Sequence, residues 1–311
     1  MKTIVITGAT GFIGVHLLQQ LYTDDCEIYA VTRAGSPNRA RLTVFPNVKT
    51  VCCDMAAAPQ LRNLLPKHID VFYHLAWDGT RRPRRDDEVL QQKNYQAALQ
   101  AYEIAREKGC RKFIGAGSQA EYGKTVGLIS ESYPARPDTM YGKYKLQAEQ
   151  DLLQKGKQDG IAVIWPRFFS VYGRYDSPQT LIMTALAKFQ HNEPIKLTEC
   201  IQNWNYLYVK DAGRMLALLG LRDCETGVYH CASCDNRPLR DYVLELKKLL
   251  HSESVPAFGA VPYGSEGVVS FQPDISRFRR AFPFFTFTSF DSGIHEMVQF
   301  NNMQHEDGLF S

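Results

Sequence analysis

Long apolar runs are missing from this chain: no window approaches the ~20 consecutive apolar residues that a membrane-spanning helix requires. A disulfide framework is missing too, because the eight cysteines, at 26, 52, 53, 110, 200, 224, 231 and 234, follow no framework-like spacing. Charge of one sign is scarce: 36 Lys+Arg against 33 Asp+Glu leave +3 over 311 residues, too little for the basic face of a nucleic-acid binder. There is no internal repeat and no low-complexity tract. The first apolar stretch, within Thr3–Thr7, is short and runs into glycine, unlike the apolar region of a signal peptide. These absences predict a protein of a reducing cytoplasm, with no membrane and no nucleic-acid partner. What is present, 44% hydrophobic and 22% charged residues, is an ordinary globular composition with ample core.

The first half alternates two periodicities. Thr3–Thr7, Ile28–Thr32, Val48–Cys52, Val71–Leu75 and Lys112–Ala116 are strand-like, and Ile13, Leu17, Leu18 and Leu21 recur at helical spacing. A helical stretch covers Val89–Lys108 and another covers Met140–Leu153. Alternating strands and helices predict an α/β fold built on a doubly wound parallel sheet. After residue 168 the alternation loosens, and Ser252–Phe287 is rich in Gly, Pro and Phe. The expected division is a dinucleotide-binding domain over 1–167, with 204–226 returning to it. A smaller, irregular α+β substrate domain then takes 168–203 and 227–311.

Gly8-Ala9-Thr10-Gly11-Phe12-Ile13-Gly14 follows the first strand and opens the first helix. Glycines there allow a tight turn and close approach of backbone to a pyrophosphate, which the N–H groups of the helix start attract. A helix-packing turn without a ligand is the alternative, and the strand–turn–helix setting counts against it. An NAD site usually carries an acidic residue at the end of the second strand, about 20 residues on. Thr32 and Arg33 stand there instead. No carboxylate would repel a 2′-phosphate, and a guanidinium could pair with one, so NADP is favoured over NAD unless Arg33 is a plain solvated loop residue. Asp54, after Val51-Cys52-Cys53, is placed to reach the adenine.

Tyr141 and Lys145 form a Y-x-x-x-K pair within a helical stretch, and i,i+4 side chains share a face. Lys145 could then lower the phenol pKa of Tyr141, making it an acid or base for a sugar or alcohol oxygen. Ser118, in Gly117–Gly123 after a strand, offers a hydrogen bond to the same oxygen. Any one of these is a common accident.

In chain order, however, the chain carries Gly8–Gly14, Asp54-Met55, His74-Leu75-Ala76, Asn94, Ser118 before Tyr122-Gly123, Tyr141/Lys145, Arg167–Gly173 and Tyr208-Val209-Lys210-Asp211. That series resembles the extended short-chain dehydrogenase/reductase family, the NAD(P)-dependent epimerases and dehydratases that modify nucleotide sugars, over nearly the whole chain. The resemblance implies a Rossmann-type sheet, Tyr141 as acid/base, Lys145 on the nicotinamide ribose and Ser118 on the reacting oxygen. It implies a cofactor site of Gly8, Thr10, Gly11, Phe12, Ile13, Gly14, Thr32, Arg33, Asp54, Met55, Leu75, Ala76, Trp77, Asn94, Tyr141 and Lys145. Substrate contacts are expected from Trp77, Gln119, Glu121, Ser170, Trp204 and Arg81. No metal is expected, and a homodimer through the helices near 89–108 and 140–153 is.

Departures from the family pattern fall on the substrate side. Trp204-Asn205 stands where Arg-Asp is frequent, Ser170 replaces an Asn after Arg167-Phe168-Phe169, and a late phosphate-gripping arginine is replaced near Tyr263-Gly264. The run Arg81-Arg82-Pro83-Arg84-Arg85 could supply the missing grip. A solvated loop neutralised by Asp86, Asp87 and Glu88 is the simpler reading and is preferred. Trp77 is either a wall of the pocket or plain core. His230-Cys231-Ala232-Ser233-Cys234 lacks the second ligand pair a structural zinc needs. The leading expectation is NADPH reduction of a 4-keto nucleotide sugar with Tyr141 as proton donor. A nucleotide-sugar 4-epimerase with retained NAD is the alternative, and a non-catalytic NADP-binding regulatory protein the alternative of another class. A dehydratase is disfavoured, because Glu121 is the one carboxylate near Ser118.

Overall fold

The computed structural model describes residues 1–55, 58–264 and 268–306. The chain opens with β1 (Lys2–Thr7), α1 (Phe12–Leu21), β2 (Cys26–Thr32), β3 (Lys49–Cys52), α2 (Ala58–Leu64) and β4 (Val71–His74). It continues through α3 (Glu88–Glu107), β5 (Lys112–Gly115), β6 (Gly117–Ser118), β7 (Leu128–Ile129), α4 (Met140–Asp159), β8 (Ala162–Phe168) and β9 (Ser170–Tyr172). Then come α5 (Leu181–Gln190), β10 (Asn203–Tyr208), α6 (Val209–Leu221), β11 (Gly227–Cys231), β12 (Asn236–Pro238) and α7 (Leu239–Leu249). The last elements are β13 (Gln272–Pro273), α8 (Ser276–Ala281) and α9 (Phe290–Glu306).

The main sheet runs β11-β8-β5-β4-β1-β2-β3, with β6 also paired to β8, and every pairing in it is parallel. Strand order reverses between β1 and β4, so a crevice opens beyond their C-terminal ends, the usual ligand position in such sheets. Side chains alternate along β1 and feed two cores. Ile4 and Ile6 pack on one face with Leu17, Leu18, Met215 and Leu216, whereas Val5 packs on the other with Phe72, Phe113, Ala101 and Leu152. Burial on both faces is why these strands read as nearly continuous apolar runs. The start of α3 is capped by Asp87, whose carboxylate accepts from Leu90 N at 3.0 Å. Thr139 caps α4 by accepting from Gly142 N at 3.1 Å.

A smaller three-stranded sheet, β12-β10-β9, packs with α5, α7 and α9 around Phe189, Tyr242 and Phe290. A two-stranded pair, β13-β7, closes a fourth cluster with Tyr122, Phe169 and Phe271. Among the described residues no helix is long and apolar enough to cross a membrane.

The division expected from sequence is corrected at three places. Gly227–Cys231 is an edge strand of the main sheet, paired with β8, rather than part of the smaller domain. Phe278, Phe282 and Phe285 fill the first core beside Leu216 and Tyr229, so the phenylalanine-rich tail returns to the main sheet as well. Within 204–226 only α6 joins the first domain, against α1, while β10 lies in the smaller sheet. Which sheet a short strand joins is set by its partners, and local pattern carries no record of them.

Candidate active site

The glycine turn is as tight as its spacing implies. Gly8 has φ +72°, and a Cβ there would lie 2.8 Å from Ala76 N, so only glycine lets β1's end meet the β4 loop. A Cβ on Gly14 would sit 2.3 Å from the Gly8 carbonyl oxygen, which makes Gly14 a packing residue beneath the turn. Gly11 N donates to Gly8 O at 2.9 Å, and Gly11 caps α1 without any side-chain hydrogen bond. The first N–H groups of α1 are therefore left for a ligand.

A cleft of about 340 Å³ lies against this turn. Gly8, Thr10 and Gly11 line it, as do Thr32 and Arg33 at the end of β2, Asp54 and Met55 after β3, Leu75, Ala76 and Trp77 after β4, and Asn94 of α3. Phe12, Ile13 and Gly14 do not line it. Phe12 and Ile13 are half-buried against the cores, and Gly14 is buried. Ser36, Asn38 and Lys93 also line the cleft and were not foreseen from sequence. Nor was Arg41, which donates to Thr10 O at 3.0 Å and stacks 4.2 Å from the Tyr175 ring centroid. Polar loop residues of this kind carry no spacing signal. The glycine cradle, the uncapped helix start and the adjoining cleft fit a dinucleotide, and Thr32 rather than a carboxylate ends β2.

Asn94 shapes the cleft wall. Its side chain accepts from Asp78 N at 3.1 Å and donates to Asp78 O at 2.8 Å, pinning the loop that carries Trp77. Trp77 both lines the cleft and packs against the second core; it donates to Gln91 Oε1 at 2.7 Å and meets Tyr141 edge-on at 6.2 Å between ring centroids.

Ser118, Tyr141 and Lys145 come together as the sequence order suggests. Ser118 starts a short helical turn, and its side chain lies close enough to the Tyr141 phenol to draw its pKa down. Burial pushes Tyr141 up to about 12, against Ser118 and the nearby Arg85 charge, which pull it down. Lys145 is buried, donates to Ala116 O at 2.6 Å and lies 3.7 Å from the Trp77 ring centroid. Burial brings it down to about 7. The net shift of Tyr141 is thus upward, set by burial. The two residues share a face of α4, with Lys145 Nζ 5.8 Å from the Tyr141 ring centroid while it donates to Ala116 O. Arg85 is a second cation over that ring, at 5.3 Å.

Beneath these groups lies a buried charge cluster. Glu121 accepts from Ser118 N at 2.7 Å and from Trp165 Nε1 at 3.2 Å, and pairs with Arg167 Nε. Arg167 Nη2 donates in turn to Glu149 at 2.7 Å. Glu121 is fully buried with both oxygens engaged, so it supports Ser118 from inside and does not face a substrate as expected. The disfavoured dehydratase chemistry loses its one nearby carboxylate for the same reason.

The other substrate candidates spread out. Gln119 Oε1 and Trp204 Nε1 are buried without a hydrogen-bond partner among the described residues. Ser170 sits half-buried on β9, in register with Tyr206. Arg81 is committed to Asp176 at 3.5 Å. The arginine run is exposed at Arg81, Arg82 and Arg84, and Arg82 pairs with Asp86 as the preferred reading has it, but Arg84 forks onto Asp78 at 3.0 and 2.7 Å and Asp87 is occupied as a helix cap. His230, tempting as a metal ligand, is held between the Tyr122 hydroxyl at 2.5 Å and Asp274 O at 2.8 Å.

A doubly wound parallel sheet, a glycine cradle at its switch point and a Ser–Tyr–Lys set beside the cleft define a dinucleotide-binding protein of the extended short-chain dehydrogenase/reductase class. The chain belongs to the NAD dependent epimerase/dehydratase family, whose model matches residues 4–230. It is 27% identical over 236 residues to an uncharacterized UDP-glucose epimerase of Bacillus subtilis (strain 168), covering 70% of this chain and 72% of the relative. UDP-glucose 4-epimerase from Thermotoga maritima, solved with UDP-glucose, superposes with a TM-score of 0.88 at 18% identity, over 97% of this chain and 99% of the other. UDP-glucuronic acid 4-epimerase from Bacillus cereus, solved with NAD, gives 0.83 at 21% identity over 98% of each. At these identities the two structures establish the fold.

Proposed function

We propose that the protein reduces the 4-keto group of a nucleotide-linked sugar with NADPH, Tyr141 giving the proton to the new hydroxyl. The observation that carries this is the buried Tyr141, edge-on to the cleft-lining Trp77 and close to Ser118, with Lys145 a turn away on α4. The glycine cradle and Arg33 would hold the cofactor's phosphates, and Trp77 and Asn94 would wall its far end. A bound nicotinamide would supply the hydride. At pH 7 the Tyr141 phenol, pushed up to about 12, is protonated and so poised as a donor. Ser118 orients the sugar oxygen to receive that proton, and the buried Glu121 holds Ser118 in place.

Arg33 is exposed at the mouth of the cleft where NAD proteins place a carboxylate, and Ser36 and Asn38 line the same end. That supports NADP. The relatives support a second reading, a 4-epimerase of a UDP-sugar with retained NAD, because the two solved structures named above are of 4-epimerases. A regulatory protein without activity is the poorer reading, since Ser118, Tyr141 and Lys145 are all retained in one cluster. We place the protein in the cytoplasm as a homodimer joined through the outer faces of α3 and α4.

Mass spectrometry of the ligands retained by purified protein, then turnover with CDP-, GDP-, UDP- and dTDP-4-keto sugars, tests the proposal. Stoichiometric NADPH oxidation on a 4-keto sugar is expected. Interconversion of UDP-sugars with no net cofactor consumption would replace it with the epimerase reading. Arg33→Ala should narrow the preference for NADP(H) over NAD(H), and equal affinities in the parent would end the NADP assignment.

A further inference from the structure

The loop between β4 and α3 carries four arginines, and three have carboxylate partners. Arg81 reaches Asp176 at 3.5 Å, Arg82 pairs with Asp86 at 3.4 Å, and Arg84 forks onto Asp78. Arg85 differs. Among the described residues no carboxylate pairs with it, and its Nε is buried without a hydrogen-bond partner. Its guanidinium lies over the Tyr141 ring, with Cζ 5.3 Å from the centroid. The backbone holding it is well tied: Arg85 N donates to Arg81 O at 2.8 Å, and the neighbouring Arg84 O accepts from Gln91 Nε2 at 3.0 Å.

A half-buried guanidinium with an orphaned N–H is a receptor in want of an anion, because its planar fork matches carboxylate and phosphate oxygens. An aromatic face satisfies such a cation only in part. Place narrows the source of the anion. The cofactor's pyrophosphate belongs at the glycine turn, whereas Tyr141 marks where the reacting sugar oxygen would lie.

We propose that Arg85 binds an anionic oxygen group of the nucleotide sugar beside Tyr141, either its diphosphate or a carboxylate borne by the sugar. This rests on the nucleotide-sugar reading above. It also moves the expected phosphate grip from Arg81, which is already paired, to Arg85. Arg85 thereby becomes a specificity-determining residue, since a substrate without an anion at that point would leave the charge unmatched.

Isothermal titration of the protein saturated with the dinucleotide it retains, using UDP-glucose and UDP-glucuronate as probes, tests this. Arg85→Leu should weaken binding of at least one probe by about tenfold or more, the loss of one charge-assisted hydrogen bond. Arg85→Lys should restore part of it, with dinucleotide affinity unchanged in both. Equal weakening of the two probes assigns the diphosphate, and weakening of UDP-glucuronate alone assigns a sugar carboxylate. If Arg85→Leu loses the dinucleotide, Arg85→Gln takes its place, keeping donors without charge. Parent-like affinity of the variant for both probes would overturn the inference. A parent protein that binds neither probe, nor CDP-, GDP- or dTDP-glucose in their place, would instead overturn the nucleotide-sugar reading and this inference with it.

Discussion

Glu149→Gln isolates one proton in the cluster under the active site. Arg167 bonds to both Glu121 and Glu149, so a single guanidinium must serve two buried carboxylates. Burial, reinforced by Glu121, raises Glu149 from 4.5 to about 8, and the native protein carries it protonated at neutral pH. The unfolded chain releases that proton near 4.5. Between those values the native state alone holds it, so this group's contribution to stability is full below about pH 4.5 and is lost as pH rises toward about 8. The slope cannot exceed ~1.4 kcal/mol per pH unit, and between about pH 5 and pH 7 the raised pKa gives a fall of a few kcal/mol. Glutamine copies the protonated acid without titrating. The stability of Glu149→Gln relative to the parent should therefore rise by that amount over the same interval. Taking the difference between the two proteins removes the opposite trend from His16 and His230, which burial holds down at about 4. Urea unfolding followed by tryptophan fluorescence measures it, with Trp165 bonded directly to Glu121 as a reporter. A difference that stays constant from about pH 5 to pH 7 would mean that Glu149 is ionised, and would refute the argument.

Other changes follow from the same geometry. Tyr141→Phe should keep dinucleotide binding and lose turnover by orders of magnitude; unchanged turnover with the true substrate would remove Tyr141 from the chemistry. Glu121→Ala strips the acceptor from Ser118 N and a carboxylate partner from buried Arg167, and should cost about 3–5 kcal/mol in a urea unfolding curve. A loss below about 1 kcal/mol would show that the cluster relaxes without it. Gly14→Ala puts a methyl group 2.3 Å from Gly8 O, so a loss of about 1–3 kcal/mol and weaker dinucleotide binding are expected together by calorimetry.

Much of the first domain was legible because its signals are local. Short apolar runs and helical patterns marked β1 to β5 and α3 within a few residues. The glycine turn announced itself because each glycine answers a steric demand within the chain or across a single loop. The later boundaries were not legible: β11 and the Phe278–Phe285 segment look like any short strand and any phenylalanine-rich loop. Only their partners, β8 and α6, make them part of the main sheet.

The site divides in the same way. Sequence by itself determined the chemistry available, namely Ser118, Tyr141 and Lys145 in order behind a glycine cradle, because covalent spacing on a strand end and one helix face brings them together. Tertiary structure decided what each charge does. Glu121 faces inward because Arg167, from β8, crosses beneath it. Lys145 leans on Trp77, and Arg85, tens of residues away in the chain, supplies a second cation at Tyr141. Electrostatic roles depend on distance and burial, and neither is written in the spacing of residues along the chain.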